Sequence, residues 1–227
     1  VKETMNSIAD AALTGARGNS GIIIAQYING IFLSLMDDEM ITISSFAETV
    51  KNAVPYAYQA ISNPVEGTII TVSREWADAV YSHKDISVTF SELFSKSLIT
   101  ANKSLEATTS RLKVLQDSKV VDSGAKGFVY FLQGFATFLH TGKLDLKVSE
   151  EQEDLSFNEE LIHGQGEIRH RYCTEALLSA DSIDLEALRS ELALYGDSLI
   201  VAGNNHKARI HIHANAPEQV FQVLRKK

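Results

Sequence analysis

The sequence has a single cysteine, three prolines and no excess of positive charge. One cysteine, Cys173, excludes an intrachain disulfide and is typical of a protein kept in a reducing compartment. The formal net charge of −8 argues against a nucleic acid partner, which would require a basic surface. The longest apolar stretch, residues 21–35, is too short to span a membrane and is interrupted by Gln26 and Asn29.

The first residues also lack the pattern of a signal peptide. Lys2, Glu3 and Asp10 stand where such a peptide needs an apolar segment, so we expect a cytoplasmic protein. The chain starts at Val1 inside a helical pattern and ends soon after another begins at Pro217, which suggests a piece cut at both ends.

What is present is a long helical part followed by a smaller mixed part. Residues 1–142 carry apolar residues at helical spacing almost throughout, and residues 143–165 are acidic and polar. Residues 166–227 combine strand alternation with short helical patterns. The sequence therefore predicts an antiparallel helical bundle, an acidic linker and a small α/β domain.

Local signals predict several helix boundaries in the first part. Ser45–Glu48 and Thr89–Glu92 each have the spacing of a capping box, which marks a helix start. Gly142 is typical of a helix end, and Pro55 predicts a kink or break within its helix.

The motif at residues 14–21 (Thr-Gly-Ala-Arg-Gly-Asn-Ser-Gly) has three glycines between two helical patterns. A glycine-rich turn that leads into a helix exposes backbone N–H groups at the positive end of the helix dipole, which favours a phosphate. The motif is not a Walker A loop, because no Gly-Lys-Ser/Thr follows it. A plain turn between two helices would use the same glycines, so both interpretations stay open.

Two further turns, residues 63–68 and 122–127, also contain glycine. Alternate turns of an up-and-down bundle lie at the same end, so these loops could grip one nucleotide. Gly67, Thr68 and Ile69 would border the base, and Asp122 with Gly124 would complete the wall. Short bundle loops with no ligand are the alternative.

The second part contains a candidate metal site. His211 and His213 are two apart on a predicted strand and project to the same face. With Cys173 they provide a soft thiolate and two imidazoles, a set that suits zinc, and Glu175 lies near in sequence. The alternative is a solvated sheet face with Cys173 as a small buried apolar residue, and spacing alone does not decide. We expect His170 and His206 at the surface.

Arg17 lies beside the glycine turn and is the candidate for pairing with a transferred phosphoryl group. An exposed arginine paired with a nearby carboxylate is the alternative. Lys126 has the same two interpretations.

Residues 12–21, 63–69 and 121–127 resemble, in order, the motifs of the DAK2 (DhaL-like) ATP-binding domain. That domain occurs in dihydroxyacetone kinases and in bacterial fatty acid kinases. The sequence of residues 121–128 (Val-Asp-Ser-Gly-Ala-Lys-Gly-Phe) also resembles that of proteins in which such domains are fused to a DegV-type fatty-acid-binding domain.

Residues 171–175, 196–199 and 210–215 resemble the middle domain of the fatty acid kinase A subunit. Dihydroxyacetone kinases lack that domain, so the combination favours the fatty acid kinases.

The resemblance implies an α-helical barrel that binds ATP at one rim and transfers its phosphoryl group to a fatty acid carboxylate. A DegV-type lipid-binding protein or fused domain would present the fatty acid. The residues implied at the phosphates are Gly18, Asn19, Ser20 and Gly21. Those implied at the adenine and the wall are Gly67, Thr68, Ile69, Asp122 and Gly124. Cys173, His211 and His213 match the proposed zinc ligands.

One departure concerns Mg²⁺. The family holds it with an acidic loop of the Asp-Gly-Asp-Thr-Gly type ahead of the first motif, and this sequence does not contain that loop. Asp37 and Asp38 lie at the far end of a helix and are no substitute. Since phosphoryl transfer requires the metal, we expect this piece to be inactive or nearly so.

Two other functions stay open from the sequence. One is a dihydroxyacetone-type kinase that acts on a small hydroxy substrate, and the other is a non-catalytic interaction module. A second copy of this chain, in a homodimer, is a further candidate partner.

Overall fold

The computed structural model describes residues 1–36, 40–143 and 169–227. Of the predicted linker, 143–165, only Lys143 is among them, and Asp37 and Asp38 lie outside them. The predicted domain limits, 1–142 and 166–227, therefore stay predictions.

The first part is a helical bundle in which chain neighbours pack side by side. Contacts run from α1 to α2, α3, α4 and α5 in turn, and α7 packs on α5 and α4. The helices are α1 (Lys2–Gly15), α2 (Gly18–Ser34), α3 (Ile43–Gln59), α4 (Ile69–His83), α5 (Phe90–Arg111), α6 (Lys113–Ser118) and α7 (Ser123–Thr141).

Helix ends follow the local chemistry, with one correction. Thr89 caps α5 by accepting from the Glu92 N–H, and Gly142 ends α7 with a left-handed φ of 65°, as predicted. The predicted capping box at Ser45 is wrong, because Thr42 is the N-cap of α3 and Ser45 is its N3 partner. Helix α3 continues through Pro55, which is exposed, so the helix does not end there.

The core of the bundle is organised around the only tryptophan. The Trp76 ring lies edge-on to Phe128 at 5.7 Å and tilted against Phe94 at 6.0 Å. Its Nε1–H donates to Ser97 Oγ over 3.2 Å, so the one polar atom of this buried side chain is satisfied.

The second part is a three-stranded antiparallel sheet with two helices. Its elements are β1 (Tyr172–Ser179), α8 (Leu185–Leu192), β2 (Gly196–Gly203), β3 (Lys207–Ala214) and α9 (Pro217–Leu224), and the strand order is β1-β3-β2. On one face of the sheet, Ile210 and Ile212 pack into a core with Leu188 of α8 and Val220 of α9. The predicted fold class, helical followed by a small α/β unit, is confirmed.

The other face of the sheet is partly covered by the bundle. The alternative of a solvated face does not hold over β2 and β3, because α1 and α2 pack on β3 and α2 packs on β2. His211 is only 3% exposed and Arg209 only 7%. These polar side chains of β3 are therefore buried between the sheet and the bundle. The alternation of residues within one strand cannot predict such burial, because it does not show what packs on the strand.

Backbone pairing ties the two parts together at the edge of β2. The Val201 N–H donates to the Ala60 carbonyl over 3.0 Å, and the Ser62 N–H donates to the Leu199 carbonyl over 3.2 Å. At Gly203, the N–H donates to Gln26 Oε1 over 2.8 Å, and the carbonyl accepts from Asn29 Nδ2 over 3.2 Å. Helix α2 therefore holds a backbone unit of the sheet with two buried side-chain amides.

Within the described residues, no helix is both long and apolar enough to cross a membrane.

Replacing Gln26 with alanine should destabilise the protein, because it leaves the buried Gly203 N–H without its acceptor. We expect Gln26→Ala to lower the free energy of unfolding by about 1–3 kcal/mol, measured by urea denaturation. The matched control is Gln116→Ala on the exposed side of α6, expected to change it by less than about 0.5 kcal/mol. Equal effects of the two variants would contradict the docking role of Gln26.

Candidate functional site

The N-termini of α2, α4 and α7 meet at one rim of the bundle. Asp122 Oδ1, at the start of α7, accepts from the Ile69 N–H at the start of α4 over 3.1 Å. Gly124 lies against Ser20 in the first turn of α2, so closely that a Cβ at Gly124 would be 2.2 Å from Ser20 Oγ and 2.9 Å from Ser20 Cβ. All three glycine-bearing turns are therefore at the same end.

In the structure the first glycine turn is much shorter than the motif at residues 14–21, because most of that motif is helical. Helix α1 runs to Gly15, only Ala16 and Arg17 connect it to α2, and Gly18 begins α2 with φ of 61°. This left-handed value favours glycine. The first N–H groups of α2 have no partner within the helix and lie at its positive end, which is the arrangement of an anion site.

Asp122 is a structural carboxylate at this rim. Its Oδ1 also accepts from the Ala125 N–H over 2.7 Å and so caps α7. Burial raises the pKa of Asp122 above its ordinary value, although the two backbone donors oppose that rise. The residue joins two helix starts and is already engaged by two amides.

The turn before α4 is held by Glu66. Its carboxylate accepts from Tyr58 Oη over 2.7 Å, Thr71 Oγ1 over 2.6 Å and Arg74 Nη2 over 2.8 Å. The Gly67 N–H donates to Thr71 Oγ1 over 2.8 Å. Sequence reasoning passed over Glu66, whose three partners fix the loop that contains Gly67.

The side chains of two of the rim candidates, Thr68 and Ile69, are already engaged within the protein. Thr68 Oγ1 donates back to the Val65 carbonyl over 2.8 Å, and the Ile69 side chain is 2% exposed within the core. The side chain of Ile69 therefore serves packing in this conformation.

Arg17 is exposed beside Gly18, and its Nη1 donates to the Ala16 carbonyl over 2.8 Å. The guanidinium thus covers the C-terminal end of α1, where a cation is favoured. Asn19 is also exposed at this rim. Lys126 lies 5.5 Å from the centroid of the Tyr130 ring.

Cys173, His211 and His213 converge on the face of the sheet that is turned towards the bundle. The antiparallel register places Cys173 opposite His213 and next to the position of His211. One potential ligand atom from each residue lies within 4.8 Å of the others, and Cys173 Sγ is 3.8 Å from His211 Nδ1. Contrary to the buried alternative, Cys173 is exposed.

The protonation state of His211 favours metal binding, whereas that of Cys173 opposes it. Burial lowers the pKa of His211, so its ring is held neutral, although the Glu175 contact opposes the shift. Partial desolvation and then the charge of Glu175 raise the pKa of the Cys173 thiol, so a bound cation must displace its proton. His211 Nε2 is buried with no hydrogen-bond partner among the described residues.

Sequence reasoning missed the residues around this cluster. Asp197 lies between two imidazoles, with Oδ2 3.0 Å from His170 Nδ1 and Oδ1 3.6 Å from His213 Nδ1. His170, expected at the surface, is partly buried against Asp197. The β2–β3 register creates this group, and the sequence alone does not specify that register.

Glu175 joins the cluster to the rim of the bundle. Its Oε1 accepts from the Gly18 N–H over 2.7 Å and lies 3.4 Å from His211 Nδ1. Its Oε2 accepts from Arg209 Nη2 over 2.7 Å. The glycine turn and the Cys-His-His cluster, predicted as separate sites, are thus neighbours.

A cavity of about 1050 Å³ lies elsewhere, along the C-terminal half of α7. Tyr130, Phe131, Phe135 and Phe138 line it, and the first two are more than half exposed. The rim is at the opposite end of α7, so this cavity is separate from the candidate site.

In comparisons with known proteins, two family models match different parts of the chain. Residues 1–137 match the family model described as the DAK2 domain, and residues 169–227 match that for the middle domain of proteins like the fatty acid kinase A subunit. Uncharacterised proteins of Staphylococcus aureus strains USA300, NCTC 8325 and N315 are each 32% identical to this chain over 229 residues. The match covers 97% of this chain and 42% of each relative, so the chain spans less than half their length.

The contact between Gly124 and Ser20 predicts opposite effects of two alanine substitutions in α7. Gly124→Ala should cost about 1–3 kcal/mol of stability, because turning Ser20 Oγ away leaves Ser20 Cβ too close. Gly127→Ala is the control, since no atom lies within 4 Å of a Cβ there. It should stabilise the protein by up to about 1 kcal/mol. Urea denaturation measures both, and a destabilising Gly127→Ala with a neutral Gly124→Ala would refute the contact.

Proposed function

Because the chain belongs to the DAK2 domain family and continues into a region like the middle domain of the fatty acid kinase A subunit, we propose that it serves ATP-dependent phosphoryl transfer to a fatty acid carboxylate. The transfer breaks the bond between the γ-phosphorus and the oxygen of ADP and forms a bond to a carboxylate oxygen. The products are an acyl phosphate and ADP.

The observation that carries this proposal is the meeting of three helix N-termini at one rim. Partial positive charge from α2, α4 and α7 adds up where Ser20 and Gly124 touch. Phosphate oxygens would accept from the amides of Gly18, Asn19, Ser20 and Gly21. Gly67, Thr68 and the backbone of Ile69 would border the adenine, and Asp122 with Gly124 would fix the shape of the site.

Arg17 is our candidate for contact with the transferred group. It is exposed next to Gly18, and its present partners are the carbonyls of Thr14, in the last turn of α1, and of Ala16. Such contacts can be exchanged for a phosphate oxygen, to which a guanidinium binds more strongly.

The described rim does not fit a Mg²⁺ site. Its described carboxylates are all engaged, Asp122 and Glu175 by backbone N–H groups. Glu66 accepts from the side chains of Tyr58, Thr71 and Arg74. Magnesium is nevertheless part of the proposal, because phosphoryl transfer generally requires a cation to neutralise the developing charge. We assign no residue of this chain to it.

Zinc fits the Cys-His-His cluster. One thiolate and two imidazoles are typical zinc donors, and three protein ligands leave one position open. Bound there, zinc would act as a Lewis acid or a structural brace. Asp197, 3.6 Å from His213 Nδ1, would orient that ring as carboxylates orient metal-binding histidines elsewhere.

A fatty acid is proposed as the acceptor because residues 169–227 (the middle-like region) match the middle domain of the fatty acid kinase A subunit. The dihydroxyacetone kinases, which are the alternative family, lack that domain. In this proposal a DegV-type fatty-acid-binding protein or domain presents the acyl chain. A dihydroxyacetone-type kinase and a non-catalytic interaction module remain the competing proposals.

The function predicts acyl phosphate formation by the protein in its full native length. Given ATP, Mg²⁺ and a lipid-loaded DegV-type partner, hydroxylamine should trap acyl hydroxamate in proportion to the ADP formed. Gly18→Ala should lower the rate about tenfold, because a left-handed φ costs an L-residue about 1–2 kcal/mol. Gly15→Ala is the matched control, because Gly15 lies in the same motif with no atom within 4 Å of a Cβ and no positive φ.

Three outcomes separate the candidates. ATP consumption with small ketoses or triols but not with fatty acid would support the dihydroxyacetone-type kinase. Nucleotide binding with no turnover on either acceptor would leave only the interaction module. Equal rates for Gly18→Ala and Gly15→Ala would remove the glycine turn from the site.

The zinc assignment makes a separate prediction for this chain. Purified protein should contain stoichiometric zinc by elemental mass spectrometry, and Cys173→Ser and His211→Gln should lose it. His206→Gln is the control, because His206 is exposed in the turn between β2 and β3. Full zinc content in both cluster variants would refute the assignment.

A further inference from the structure

A side chain of the sheet accepts a hydrogen bond from a backbone N–H of the glycine turn. Glu175 Oε1 accepts from the Gly18 N–H over 2.7 Å, a distance typical of a charge-assisted bond. Gly18 belongs to the first turn of α2, whose N–H groups have no partner within the helix. The carboxylate thus takes the place at which an incoming anion would be bound.

The surroundings of Glu175 keep it charged and in position. Arg209 Nη2 donates to Oε2 over 2.7 Å, and the Arg209 side chain is only 8% exposed. His211 Nδ1 is 3.4 Å from Oε1, and the Glu175 side chain itself is 22% exposed. The carboxylate is therefore a well-held anion at a helix N-terminus and not a freely moving surface group.

We propose that Glu175 is an internal competitor for the phosphate turn, which holds the Gly18 amide until a phosphate oxygen of the nucleotide displaces it. This inference rests on the proposed function, because it assumes that the nucleotide binds at Gly18–Gly21. A phosphate at that amide and a carboxylate at the same amide exclude each other sterically, and their charges repel each other. The free protein thereby satisfies the partly buried Gly18 amide without a ligand, and nucleotide binding has to overcome that contact.

A purely structural clamp is the opposing interpretation, and it predicts a different effect on affinity. A clamp that only ties β1 to α2 would help to form the site, so its removal would weaken nucleotide binding. A competitor predicts the reverse, tighter binding together with lower stability. The sign of the affinity change therefore separates the two.

The test is the dissociation constant of MgATP for Glu175→Gln in the protein of full native length, measured by isothermal titration calorimetry. The variant should bind about fivefold more tightly than wild type, the difference between a hydrogen bond to a charged acceptor and one to a neutral amide. Glu191→Gln is the matched control. It removes a carboxylate of the same unit that pairs with Lys227, and it should leave the constant unchanged.

Two additions keep the result interpretable. Glu175→Asp retains the charge beside Arg209 but is too short to keep the same reach to Gly18, so it should also bind MgATP more tightly if Glu175→Gln folds poorly. The ¹H shift of the Gly18 amide should move upfield in both variants, which tests the contact without nucleotide. All titrations are run on metal-free and on zinc-loaded protein, so that a change in zinc content is not mistaken for a change in competition.

The outcomes are distinct. Wild-type binding with equal or weaker binding by both Glu175 variants would overturn the competitor and leave nucleotide binding intact. No binding of MgATP by any of these proteins would overturn the proposed nucleotide site and the competition with it. An unchanged Gly18 amide in both variants would show that the hydrogen bond does not exist in solution, which also overturns the proposal.

Discussion

The structure depends on how the polar face of the sheet is buried. Arg209 and His211 are buried between the sheet and helices α1 and α2, and Glu175 is partly buried beside them, so polar atoms there lose water. Hydrogen bonds across the interface compensate for part of that loss, through Gln26 and Asn29 to Gly203 and through Gly18 to Glu175. The edge of β2 adds backbone bonds to Ala60 and Ser62. The hydrogen bonds that position the sheet on the bundle are thus the same bonds that pair polar groups at the interface.

This requirement brings the two candidate sites together. The glycine turn starts α2, and the Cys-His-His cluster lies on β1 and β3, so docking the sheet on α2 makes them neighbours. Glu175 touches both, since its Oε1 reaches Gly18 and His211. Any anion bound at α2 would lie close to the histidines, which gives the middle-like region a direct way to influence the rim.

The sequence was sufficient for those features that depend on local periodicity or single-residue chemistry. Helical spacing predicted the bundle, strand alternation placed His211 and His213 on one face, and Thr89 and Gly142 marked helix ends correctly. At α3, however, Thr42 and Ser45 both have capping chemistry. In the structure Thr42 is the N-cap and Ser45 is its N3 partner, so two residues with the same capping chemistry stand three apart and the local pattern favoured the wrong one.

Features that depend on register or docking could not be predicted. The approach of Asp197 to His170 and His213 follows from the pairing of β2 with β3, which includes a shift between Asp197 and Ile200. The burial of Arg209 follows from a helix more than 170 residues earlier in the chain, whose Gln26 contacts Gly203 across 177 positions. No window of sequence contains both partners, so spacing alone left a solvated face open as an alternative.

The rim shows how a protein can keep an anion site without an anion. Three helix starts at one place expose unpaired N–H groups and concentrate positive potential, which costs stability if nothing compensates it. In this structure carboxylates compensate it: Asp122 takes the amides of Ile69 and Ala125, and Glu175 takes that of Gly18. The two differ in attachment. Asp122 belongs to the helix that it caps, whereas Glu175 comes from a separate sheet and can leave without disrupting a helix. The amide at Gly18 is therefore the one that a ligand can obtain at the least structural cost.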